Sequence, residues 1–114
     1  MYEIIFFEKD NGEIPAEDFI KTLEKKMRTK VLKTIKILKE NGTNLREPYS
    51  SHLDDGIFEL RIQFGSDITR VLYFFLIGKK IVLTNGFAKK TQKTPKPEID
   101  KAKKYRKQYI LKGE

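Results

Sequence analysis

The chain has 114 residues, with 24 Lys or Arg against 16 Asp or Glu, a net charge of +8, one histidine and no cysteine. That length suits one domain spanning residues 1–114 around one core, and the missing cysteines exclude disulfides and thiolate chemistry and fit a reducing compartment such as the cytoplasm. No apolar run approaches the ~18 residues of a membrane span, and "MYEIIFFEKD" has no basic leader region, so neither a membrane partner nor a signal peptide is expected.

The charge is unevenly spread. Residues 87–114 hold ten basic side chains against three acids, whereas residues 1–86 net only +1. A localised excess of this kind is the footprint of a nucleic-acid partner or an acidic protein partner, or else a solvated lysine-rich helix.

In chain order, "YEIIFF" at residues 2–7 is dense in β-formers and predicts a short strand, closed by the turn signal "DNG". Pro15, with Glu17 and Asp18 behind it, predicts a helix start. Ile20, Leu23, Met27, Val31, Ile35 and Leu38 then recur at steps of three and four, a helical stripe in which Met27 is core packing. Typical helix length favours a hairpin broken near residues 26–29 over one long helix, and "ENGTN" ends it. "REPYSSHLDDG" reads as a polar connection. "IFELRIQF" alternates strictly, "ITRVLYFFLI" is apolar enough for a central strand, and "KIVLTNGF" returns after the turn signal "GK", giving a three-stranded antiparallel meander. A basic amphipathic helix carrying Ile99, Ala102, Arg106 and Tyr109 starts near Pro95 or Pro97. The expected class is α+β: a small, mainly antiparallel sheet with a helical hairpin on one face and a C-terminal helix.

Two arginines resist a purely structural reading. Arg61 sits mid-strand opposite the Phe58 and Leu60 side, and Arg70 interrupts a nearly apolar strand. A buried charge needs water, a carboxylate or an anion, because breaking such a pair costs about 3–5 kcal/mol. If adjacent strands bring both to one face, two guanidinium forks converge as they would on a phosphate, while an Arg70–Glu59 ion pair is the structural alternative. Lys89, Lys90 and Lys93 follow the last strand and lead into a helix N-terminus, whose dipole also favours anions.

"GIFELRIQF", "TRVLYFF", "NGFAKKTQKTP" and "EIDKAKKY", in this order and with "LKENG" and "HLDDG" upstream, resemble the HigB-type branch of the RelE/ParE toxin superfamily over nearly the whole chain. The resemblance implies the toxin of a bacterial or phage toxin–antitoxin pair: a RelE-like fold, an endoribonuclease that cuts messenger RNA on the ribosome, and a cognate antitoxin bound in a toxin–antitoxin hetero-oligomer. It implies attack by a 2′-hydroxyl on the adjacent phosphorus with no metal and no cofactor. Arg61, Arg70, Lys89 and Lys90 are the catalytic candidates it carries over, with Glu59 as a possible general base. Lys93, Lys96, Lys103 and Arg106 are the candidate RNA contacts. The proton donor is unassigned: His52 reads as loop polarity, Tyr73 as core, and Tyr105 and Tyr109 as packing residues of the last helix. The alternatives are a ParE-like toxin that poisons DNA gyrase without cutting RNA, and a simple nucleic-acid-binding module.

Overall fold

The computed structural model describes residues 1–89 and 93–113. In chain order it contains β1 (Glu3–Phe6), α1 (Pro15–Lys21), α2 (Lys25–Asn41), a single 3-10 turn (Gly42–Asn44), β2 (Ser50–Asp54), β3 (Ile57–Phe64), β4 (Asp67–Leu76), β5 (Lys80–Lys89) and α3 (Lys96–Leu111). The class is α+β, as expected. The sheet runs β1-β5-β4-β3-β2, with β2 to β5 an antiparallel meander and β1 parallel to β5.

The helical hairpin breaks four residues earlier than expected, at residues 22–24. There the Thr22 hydroxyl donates to the Phe19 carbonyl at 2.6 Å and the Thr22 and Leu23 N–H groups close short turns, a local bonding pattern that competes with helix continuation. Met27 is buried in the core as read.

The connection read as "REPYSSHLDDG" instead contains β2, so the meander has four strands rather than three. The signal was in the sequence. Asp55 and Gly56 have φ of 49° and 76°, the paired positive values of a two-residue hairpin turn, and Asp-Gly is among its preferred dipeptides.

Alternation along the strands gives the sheet two apolar faces. Leu60, Ile62, Val71, Tyr73, Ile81 and Leu83 pack beneath α1 and α2, and Ile57, Leu72, Phe74 and Val82 pack against Ala102 and Tyr109 of α3. The α1 face comes so close to β5 that a Cβ on Gly86 would lie 2.4 Å from Phe19 Cδ2, which accounts for the glycine there.

A bulge decides which side chains of β5 reach the α3 face. Phe74 pairs with Val82 and Tyr73 with Leu83, but Leu72 pairs with Asn85, so Thr84 is the extra residue. Its hydroxyl donates to the Leu72 carbonyl at 3.1 Å. One inserted residue reverses the parity of everything after it. Asn85, Phe87 and Lys89 therefore share a face with Leu72 and Arg70, where strict alternation would have turned Lys89 away.

Candidate active site

On the α3 face, the registers set Arg61 directly opposite Arg70 and Arg70 opposite Phe87, with Lys89 opposite Ile68 one step along. Like charges on neighbouring strands repel, so something must hold them. Glu59, two residues before Arg61 and diagonal to Arg70, is that group: its Oε1 lies 3.5 Å from Arg70 Nε and its Oε2 lies 3.7 Å from Arg61 Nε. Both the convergence of the arginines and the Arg70–Glu59 pair are therefore present together.

The pair is well buried, Arg70 being 3% exposed and Glu59 4%. Arg70 Nη1 donates to the Thr69 carbonyl at 3.1 Å, whereas Nε is buried with no hydrogen-bond partner among the described residues. Arg61 lies nearer the surface, where its Nη1 meets Glu47 Oε1 at 2.9 Å. Lys89 is 9% exposed, and its ammonium donates to Thr94 Oγ1 at 3.4 Å. The Thr94 hydroxyl in turn donates to Glu59 Oε1, so Lys89, Thr94 and Glu59 form one hydrogen-bonded chain.

The electrostatics follow from this geometry. Burial lowers the pKa of Lys89 below the ordinary lysine value; the Arg70 guanidinium pushes it further down, and Glu59 partly opposes the shift. Removal from water is the larger cause, ahead of the neighbouring cations. Burial likewise lowers Arg70, against the pull of Glu59. What this arrangement can do is bind an anion at fixed guanidinium groups and offer an amine that gives up its proton more easily than a solvated lysine.

Other sequence candidates fall elsewhere. Lys90 lies outside the described residues. Lys93 is exposed, just before the α3 start. Lys96 donates to Asp100 at 3.1 Å, Lys103 to Asp54 at 2.5 Å, and Arg106 to the Asp55 carboxylate at 2.8 Å, so three of the proposed RNA contacts are engaged by acids. The α3 N-terminus is also less open to an anion than supposed. Pro97 has no N–H, the Glu98 N–H bonds to the Pro95 carbonyl at 3.1 Å, and the Glu98 carboxylate occupies the first turn. His52 is not in a loop but on β2, where its Nε2 accepts the Gly56 N–H at 3.2 Å and its ring packs edge-on against Phe58, on the face away from Arg70. Tyr73 is core as read, hydrogen-bonded to Ser50 and pushed up to about 12 by burial. Tyr105 stacks on Phe7 and Tyr109 meets Phe74 edge-on, both as packing residues.

Two site residues escaped the sequence reading. Thr94 offered no signal beyond its place in "KTP". Asn85 donates to Glu98 Oε1 at 3.1 Å and to the Glu98 carbonyl at 3.2 Å, fastening the start of α3 to β5 beside the cluster. A larger omission is α2. It carries seven basic residues against one acid, and none of the seven is in an ion pair among the described residues. Summing charge over residues 1–86 concealed it, because the acids that balance it lie elsewhere.

No helix among the described residues is long and apolar enough to cross a membrane. A comparison with curated proteins gives no match. Residues 18–107, from α1 through most of α3 and including every described member of the cluster, match the family described as "Phage derived protein Gp49-like (DUF891)". That family is associated with the toxins of toxin–antitoxin systems and implies a cognate antitoxin partner. With that match spanning most of its length, the chain belongs to the Gp49-like phage-derived proteins.

Proposed function

We propose that this Gp49-like protein is a HigB-type toxin, an endoribonuclease that cuts messenger RNA on the ribosome until its antitoxin binds it. The observation that carries the reading is the juxtaposition of Arg61, Arg70 and Lys89 around one buried carboxylate, Glu59. In the reaction, the 2′-oxygen forms a bond to the adjacent phosphorus as the P–O5′ bond breaks. The products are a cyclic phosphate and a 5′-hydroxyl, and no co-reactant is consumed. The phosphorane-like transition state gains negative charge, which fixed guanidinium groups stabilise without reorganising. Arg61, the more accessible arginine, takes the phosphate oxygens, and Arg70 contributes its field from behind.

The proton leaving the 2′-hydroxyl needs an acceptor and the 5′-oxygen needs a donor. Lys89 is the proposed shuttle, since burial and Arg70 both ease its deprotonation. Glu59 fits a positioning role better than that of general base, because its oxygens already meet Arg70, Arg61 and Thr94. Lys90 is a further proposed contact to the substrate.

The test is induced expression of wild type, Arg61→Ala and Lys89→Ala, with growth followed and messenger 5′ ends mapped. New coding-region ends bearing 5′-hydroxyls, lost in both folded variants, are the expected result. Growth arrest with intact messages would overturn the ribonuclease and favour a gyrase-type target. Absence of arrest and of cleavage in the wild type would leave a binding module.

A further inference from the structure

The cluster opens toward the side of β3 that β2 does not cover. β2 pairs with β3 only as far as Leu60, and beyond it the Arg61 N–H bonds to the Tyr49 carbonyl at 2.8 Å while Lys30 of α2 donates to the Gln63 carbonyl. A groove of about 320 Å³ at this edge is lined by Arg61, Arg70, Tyr49 and Lys30 together. Lys30 also lines a second cleft, of about 650 Å³, with Lys25, Lys26, Lys33 and Phe64. Phe64 ends β3 with 44% of its surface exposed, and the Lys30 ammonium sits 5.9 Å from its ring centroid. Tyr49 is equally exposed.

A phenyl ring left 44% exposed at the end of a strand gains only part of the burial of a core ring, and four lysines on one helix end repel one another. Together they make a surface whose cost would be relieved by a ligand with both a flat apolar face and repeated negative charge. A nucleotide strand has both. Its bases must be unpaired for an aromatic ring to stack on them, which selects a single strand over a duplex.

We infer that the free edge of β3 and the N-terminal half of α2 form a track for single-stranded RNA, in which Phe64 and Tyr49 stack bases and Lys26, Lys30 and Lys33 hold phosphates leading to the Arg61–Arg70 cluster. The track rests on the ribonuclease reading only for the role of the strand as substrate. It assigns the RNA contacts chiefly to α2 rather than to α3.

The test uses the full chain and a fluorescein-labelled, fully 2′-O-methylated oligonucleotide, which cannot be cleaved, with anisotropy read over a salt series. Phe64→Ala should weaken binding by roughly tenfold, the loss of one stacked base. The triple variant Lys26→Gln/Lys30→Gln/Lys33→Gln should reduce the slope of log affinity against log salt by about 0.7 for each phosphate it no longer neutralises. Lys101→Gln/Lys104→Gln/Lys107→Gln on α3 should bind nearly as wild type, and a hairpin duplex of the same composition should bind more weakly than the single strand. These side chains are exposed, and circular dichroism checks that the variants stay folded.

Wild type that ignores the oligonucleotide, binds the duplex equally well, or loses affinity through the α3 triple alone would overturn the track. So would α2 variants that keep RNA affinity but no longer retain the antitoxin, which would make this a protein interface. The two readings fail separately. Binding through α2 by a protein that leaves messages intact sinks the ribonuclease and keeps the track, and cleavage indifferent to Phe64 and the α2 lysines does the reverse.

Discussion

The two long helices are both basic and both amphipathic, yet the fold uses their charges in opposite ways. Of the six basic residues of α3, four are paired: Lys96 with Asp100, Lys101 with Glu98, Lys103 with Asp54 and Arg106 with Asp55. Two of those acids, Asp54 at the end of β2 and Asp55 in the turn that follows, belong to the sheet, so α3 is pinned to it by its cations as well as by Ala102 and Tyr109. The basic residues of α2 have no ion pair among the described residues, and the helix is held by Met27, Val31, Ile35 and Leu38. A lysine count cannot distinguish a charge engaged by the protein's own acids from one left for a partner. Tertiary pairing does.

The contrast can be broken at several points. If both helices are held mainly by their apolar sides, Leu38→Ala on α2 and Tyr109→Ala on α3 should each cost about 2–5 kcal/mol in urea unfolding, since both side chains are buried. A loss well below 1 kcal/mol at either position would mean that helix is not docked as described.

Between the helices lies the site, where charge is buried rather than displayed, and here pH is the probe. Lys89 has a lowered pKa in the folded protein, so between that value and the ordinary lysine value the unfolded chain binds more protons. Its burial therefore destabilises the fold at neutral pH, and stability should recover as pH rises through that window. Lys89→Met should be more stable than wild type at neutral pH and should lack the recovery. Tyr73, raised to about 12 by burial, has the opposite sign: between about 10 and 12 the folded state holds more protons than the unfolded chain, so stability falls as pH rises through that window and is unaffected by this group below it. Both proteins retain Tyr73, so the difference between their pH–stability curves isolates Lys89. Parallel curves would show that Lys89 is solvated.

Smaller effects come from the surface pairs. Lys103→Gln and Arg106→Gln should each lower stability only slightly, and added salt should shrink the loss. Lys33→Gln, which relieves like-charge neighbours on α2, should raise stability by about 0.2–0.5 kcal/mol. Thermal melts at low and high salt decide this. An equal loss at Lys33 would erase the distinction between the helices.

Much of this molecule was legible in its sequence because the relevant signals are local. Periods of two and of 3.6 residues located β1, β3, β4, β5, α3 and the helical stripe, Met27 and Tyr73 read correctly as core, and the α+β class followed from element order. The missed strand β2 was also written locally, in Asp55-Gly56, but its polar residues hid an edge strand with one solvated face. The break between α1 and α2 depended on hydroxyl and backbone bonds at Thr22, which apolar spacing does not register.

The candidate site divides in the same way. The sequence by itself singled out Glu59, Arg61 and Arg70, since a charge in an apolar strand demands a partner wherever the strand is placed. It could not show that Lys89 joins them, because that depends on the parity change at Thr84, visible only once β5 is registered against β4. Nor could it find Thr94, or divide the lysines between α2 and α3. Hydrogen bonds and ion pairs between residues far apart in the chain decide those matters, and they exist only after the sheet has brought their partners together.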